Sequence, residues 1–122
     1  MNLWVAVFLG GGTGSMVRFA ISRLVLALGS KAIFPWATLI SNTLACALLA
    51  WLVLRFGSQE QGREHWHALL AIGFCGGFST LSTFSFENYQ LMRDGFFAVA
   101  IANIVISIAL GLVVFHFFAR PA

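Results

Sequence analysis

Four apolar stretches, residues 3–28, 36–56, 66–92 and 96–118, take up nearly all of a 122-residue chain. Each is long enough to cross a bilayer as a helix, which takes about 20 apolar residues. Hydrocarbon offers the backbone no hydrogen-bonding partner, so such stretches must satisfy their own N–H and C=O groups. Composition points the same way. Hydrophobic residues make up 60% of the chain and charged residues only 9%, too few to coat a soluble domain of this size. The breaks carry loop chemistry: Gly29-Ser30-Lys31 ahead of Pro35, residues 57–65 (GSQEQGREH), and Arg93-Asp94-Gly95. The expected fold is all-α and integral to a membrane, a single four-helix domain over 1–122. The N-terminus has no basic region and no Ala-x-Ala-like site, so the first stretch is expected to remain in the mature protein.

The net charge of +3 comes from basic residues scattered singly at segment edges, which excludes a nucleic-acid surface. Membrane orientation is set by Lys and Arg bias between the two sides. With four crossings, Arg55, Arg63 and Arg120 share one side, and Arg23, Lys31 and Arg93 share the other. This even split predicts a dual-topology chain and an antiparallel homodimer. Four helices alone could hardly enclose a pathway, so pairing is the natural way to bury their polar faces. Gly10 and Gly14, like Gly11 and Ser15, have the spacing that lets membrane helices approach closely. A phosphate loop is the poorer reading of those glycines, because no Lys-Ser/Thr follows.

The third stretch is unlike the others. Residues 73–88 read GFCGGFSTLSTFSFEN, with hydroxyls at Ser79, Thr80, Ser82, Thr83 and Ser85, phenylalanines between them and Glu87 closing the run. Polar groups at membrane depth are costly and usually face a protein interior or a permeation path. As one straight helix, 66–92 would extend about 40 Å, at about 1.5 Å per residue, across a hydrocarbon core of about 30 Å. The excess can be absorbed by tilt or by a break at Gly76-Gly77, where glycine most cheaply leaves helical geometry. The same glycines could serve only close helix contact, and the residues alone leave both readings open. Thr80, Thr83 and Glu87 would share one helical stripe, and Leu81, Phe84 and Asn88 a second. Single hydroxyls commonly bond back to their own helix, but five in seven residues favour a polar track. Thr38, Asn42, Ala45 and Leu49 line one face of the second stretch, and Asn103, Ser107 and Gly111 one face of the fourth. Asn42 by itself reads equally as pore lining or as interhelical glue. Hydroxyl and amide donors, with phenylalanine ring edges, suit a small anion.

Cys46 and Cys75 fall in apolar segments without a Cys-x-x-Cys pattern, so a disulfide framework or zinc site is not expected. His65 and His67 are two apart and, with Glu64, read as a solvated loop edge. His116 is isolated, so no catalytic constellation is apparent and the chain is not expected to be an enzyme.

The motifs resemble those of the Fluc (CrcB) fluoride channels over essentially the whole chain. Gly11-Gly12-x-Gly14 with Arg18 is similar to the first-helix motif, and Pro35-x-x-Thr38-Leu39-x-x-Asn42 to the start of the second helix. Gly73 through Glu87 is similar to the third-helix signature. The resemblance implies an antiparallel dual-topology dimer in a bacterial inner membrane, with two fluoride pathways that passively export cytoplasmic fluoride. It also implies a structural Na+ at the dimer centre, held by backbone carbonyls of Gly76 and Ser79 at a broken third helix. Carried over by position, Asn42 is the pore amide. Ser82, Thr83 and Ser107 belong to the polar track, with Phe84 beside it and Glu87 near its end. Thr38 lies at the second-helix entrance, and Arg18 anchors the vestibule. Two positions depart from the pattern. Leu81 stands where the first of two pore phenylalanines is expected, and Asn103 where the family often has tyrosine. Leu81 therefore predicts slower or altered conduction. The competing reading, a small dual-topology multidrug or cation transporter, resembles antiporters with a glutamate in the first helix. Here that helix carries Arg18 and no acid.

Overall fold

The computed structural model describes residues 2–29, 33–55 and 64–119. Lys31, Arg63 and Arg120, three of the charges in the orientation tally, lie outside the described residues. Among the described residues all regular structure is helical, and four helices are long and apolar enough to cross a membrane. The first, α1, runs Leu3–Ala27. The second, α2, runs Trp36–Ala50 and continues with wider π-helical turns over Trp51–Arg55. The third span covers Glu64–Arg93. Its first part, α3, comprises Glu64–Trp66, a π-helical His67–Cys75 and Gly76–Phe78. Its second part, α4, is Leu81–Arg93. The last helix, α5, is Phe97–Ala119.

Local chemistry sets several boundaries. The Asn2 side chain accepts the Trp4 N–H at 2.8 Å and caps α1. Between α4 and α5, Gly95 takes a φ of +89°, a conformation that a Cβ would strain. The Gly95 N–H bonds the Met92 carbonyl at 3.2 Å, and the Phe96 N–H bonds the Leu91 carbonyl at 2.7 Å. This is a Schellman closure, which satisfies the last carbonyls of α4 as the chain reverses into α5.

The most extensive helix pair is α1 with α3. Glycine makes it possible: a Cβ at Gly10 would overlap the Leu69 carbonyl oxygen, one at Gly14 that of Phe74, and one at Gly77 that of Gly11. The close approach expected of Gly10 and Gly14 is therefore made by backbone against backbone. The other main pair is α2 with α5, and α4 also leans on α5. The interior is lined largely by small residues, among them Ala6, Ala45, Ala50, Ala68 and Ala100, while Phe8, Met16 and Phe19 point outward. Lipid is as apolar as leucine, so helices in a membrane gain from close contact rather than from hiding large side chains.

Candidate functional site

The third span is interrupted between α3 and α4. Ser79 has a ψ of 156°, and Thr80 a φ of −154° and a ψ of 121°, both extended. Every backbone group freed this way in an apolar environment needs a partner. The Thr80 N–H, which a continuous helix would send to the Gly76 carbonyl, instead donates to Asn42 Oδ1 at 2.9 Å. Asn42 Nδ2 donates in turn to the Thr80 carbonyl at 3.4 Å. One side-chain amide thus pairs with both backbone groups of a single extended residue. The Gly77 carbonyl, freed from Leu81, accepts from Arg18 Nε at 3.3 Å and from Ser15 Oγ at 3.5 Å. The Thr83 N–H turns to Thr80 Oγ1 at 3.1 Å, which caps α4 and releases the Ser79 carbonyl. The Ser79 hydroxyl bonds back to the Cys75 carbonyl at 2.7 Å.

These bonds correct the sequence reading in two places. Gly76 remains helical, with φ −63° and ψ −38°, and helical geometry ends at Phe78 rather than at the glycine pair. Gly77 is needed for contact with Gly11, whereas Asn42 rewards extension three residues later, at Thr80. Thr80 therefore lies off the helix and shares no stripe with Thr83 and Glu87.

A cleft of about 300 Å³ opens beside the interruption. It is lined by Asn42 and Cys46 from α2, by Thr80, Leu81 and Phe84 at the start of α4, and by Ser107 from α5. It gathers five of the residues chosen from sequence: Asn42, Ser79, Leu81, Phe84 and Ser107. Leu81 is 76% exposed, so this side of the cleft has no wall of its own. Ser82 is exposed, its hydroxyl 3.1 Å from that of Thr80, and Thr83 is half-buried. Asn103 is only 1% exposed and sits behind Ser107. Ser107 Oγ donates to Asn103 Oδ1 at 3.1 Å, and Asn103 Nδ2 donates to Asn88 Oδ1 at 2.8 Å. The one hydroxyl proton of Ser107 is thus committed inward, leaving lone pairs toward the cleft. Asn88 is a site residue that sequence reasoning placed only on a stripe. Its signal was a second buried amide on a neighbouring helix.

A second cleft, of about 400 Å³, lies toward the far end of α4 and is lined by Phe34, Pro35, Glu87, Gln90 and Asp94. The Thr38 side chain meets the Glu87 carboxyl, whose Oε1 is buried with no hydrogen-bond partner among the described residues. Thr38 and Glu87 are therefore neighbours, and Glu87 lines this second cleft rather than the one that holds Asn42. Arg18 is engaged at the α1–α3 contact through Gly77. Among the described residues no three His, Cys, Asp or Glu side chains converge, so a hard cation would depend on carbonyl or hydroxyl oxygen. His67 also departs from its expected solvated position. It is half-buried, with no hydrogen-bond partner for Nδ1 among the described residues, in a mostly apolar cleft with Leu3, Trp4, Val7 and Glu64.

Four apolar spans around a polar, hydrogen-bonded interruption define a small multi-pass membrane protein. Residues 5–118 match the family model described as CrcB-like protein, Camphor Resistance (CrcB), and the chain belongs to that family. It is 36% identical over 112 residues to a protein of Phocaeicola vulgatus named fluoride-specific ion channel FluC, covering 92% of this chain and 91% of that one. Proteins of the same name are similar in Serratia proteamaculans, at 39% identity over 89% of this chain and 84% of that one, and in Pyrococcus abyssi, at 38% over 88% and 87%. The relatives are named as ion channels, not as enzymes.

Proposed function

We propose that this chain is one subunit of a passive fluoride channel of a bacterial inner membrane, exporting cytoplasmic fluoride. One observation carries this reading: Asn42, Phe84 and Ser107 gather with Leu81 in a cleft beside the interrupted third span, in a chain whose relatives are named fluoride-specific channels. Fluoride is strongly hydrated, and burying it without hydrogen bonds is prohibitive. The Asn42 amide, the Ser82 and Thr83 hydroxyls and the positive ring edge of Phe84 are the donors that replace its water. Glu87 and Thr38 mark one end of the route.

The functional unit is an antiparallel, dual-topology homodimer with two pathways, each lined by both subunits. The exposure of Leu81, Ser82 and Phe86 supports a missing second wall, and the even Lys and Arg split supports insertion both ways round. The released carbonyls of Gly76 and Ser79 suit Na+, a hard cation that takes oxygen ligands. When bound there, Na+ supplies positive charge that offsets carbonyl dipoles left without N–H partners. The multidrug-transporter reading is not favoured, because α1 contains no acidic residue.

The test is fluoride efflux from proteoliposomes containing the folded protein, with chloride as the control. Fluoride efflux well above chloride supports the proposal; efflux no faster than from empty vesicles, also from a folded Leu81→Phe form, overturns it.

A further inference from the structure

Cys46 on α2 and Cys75 on α3 approach the interruption from different helices, and both are free thiols. Together they line a cavity of about 190 Å³ whose other walls include Ala45, Leu49, Gly76 and Ser79. Among the described residues no carboxylate or imidazole lines that cavity. Cys46 and Ser79 also line the cleft that holds Asn42 and Ser107, so together they form the wall shared by the two spaces. Cys75 is almost wholly buried, with no hydroxyl or amide reaching its sulfur among the described residues. Two cysteines in one small cavity form a donor set for a soft cation that accepts linear two-sulfur coordination, whereas the Gly76 and Ser79 oxygens at its edge suit hard cations instead.

We propose that Cys46 and Cys75 form a two-thiol site for a soft metal ion of the Hg2+ type, and that filling it closes the adjacent pathway. On binding, the two S–H bonds give up their protons to solvent, two S–Hg bonds form, and no redox change occurs. Bridging ties α2 to α3 beside the Asn42–Thr80 pairing and draws the cleft wall toward the metal. Asn42 lies one helical turn before Cys46, and Ser79 four residues after Cys75, so the bridge restrains both partners of the interruption. The closure rests on the reading of the cleft as the conduction route; the metal site does not.

The probe is Hg2+ itself, added to the full chain and to folded Cys46→Ala and Cys75→Ala forms, followed by challenge with glutathione. A chelate should resist about tenfold or more glutathione than a single Hg–S bond, since the second thiol is held at high effective concentration. Intact mass should show one mercury gained and two protons lost per chain, only when both cysteines are present. In proteoliposomes, Hg2+ should remove most of the fluoride efflux relative to each protein's own metal-free rate, and only in the chain with both thiols. Equal mercury retention in all three proteins overturns the site. A chelate that leaves efflux unchanged overturns the closure. A lack of efflux before any metal is added counts against the channel reading instead, and leaves the retention result to decide the site.

Discussion

The two halves of the third span lie in one stretch of chain but are built in opposite ways. In α3, backbone rests on backbone: Gly73 and Gly77 meet α1 at Val7, Gly10 and Gly11. In α4, only Asn88 and Leu91 are buried, while Leu81, Ser82, Ser85, Phe86 and Tyr89 face outward. The change falls at Ser79 and Thr80, where Asn42 takes over the hydrogen bonds that the helix gives up. A membrane helix that must be both anchored and polar can thus divide the tasks. One half is fixed by close contact, and the other offers its polar face to whatever completes the wall.

The sharpest way to break this comparison is to add a Cβ on the anchored side. Gly14→Ala forces a methyl group into the Phe74 carbonyl oxygen, with backbone on both sides and no flexible side chain to yield. The expected cost is about 3 kcal/mol or somewhat more, the upper range for overfilled contacts. It should appear as aggregation or a large fall in unfolding temperature in detergent, whereas Gly12→Ala, with open space around it, should leave the melting curve in place.

The next effect belongs to the junction. Asn42→Leu removes an acceptor and a donor at once and leaves the Thr80 N–H unpaired. The expected destabilisation is about 1–3 kcal/mol, the cost of an unsatisfied buried polar group. Fluoride efflux should fall with it. Asn42→Asp keeps the acceptor for the Thr80 N–H and should retain more of the stability than Asn42→Leu; equal losses would mean that the amide acts only as a pore donor.

Behind the cleft, Asn103→Leu should cost about 1–2 kcal/mol, because Asn88 loses a buried partner. It also frees the Ser107 hydroxyl to point into the cleft, so fluoride efflux per folded protein should change. Efflux identical to the parent would remove Ser107 from the route.

The smallest structural effect, and the most specific functional one, is at Leu81. Its side chain is exposed on the single chain, so Leu81→Phe should shift stability by less than about 0.5 kcal/mol. Efflux should rise, because a ring edge replaces an aliphatic surface on the cleft wall. Equal efflux rates in the two forms would end the conduction role of a ring at this position.

Much of this was legible in the residues. The apolar stretches had one low-energy solution in a bilayer, and the loops marked their ends with Pro35, Gly29 and Gly95. The small-residue spacing at Gly10 and Gly14 named the contact face. The position of the interruption was less legible. Gly76-Gly77 looked like the weak point because glycine bends cheaply, yet a cheap bend is not a stabilised one. The residues that reward extension, Asn42 and the capping hydroxyl of Thr80, act partly across a sequence separation that no local pattern reveals. The surroundings of Asn103 were less legible for a related reason: its spacing with Ser107 put both on one face, but no local pattern showed that its amide would turn to Asn88.

The sequence by itself determined that this is a four-span membrane protein, since apolar length and backbone self-satisfaction leave little else to choose. It also determined that the polar chemistry lies in 73–88. The tertiary structure alone decided which hydroxyls and amides remain available to a ligand. Each buried donor can be spent only once, and whether it goes to the cleft, to a freed carbonyl or to another side chain depends on which helix stands opposite.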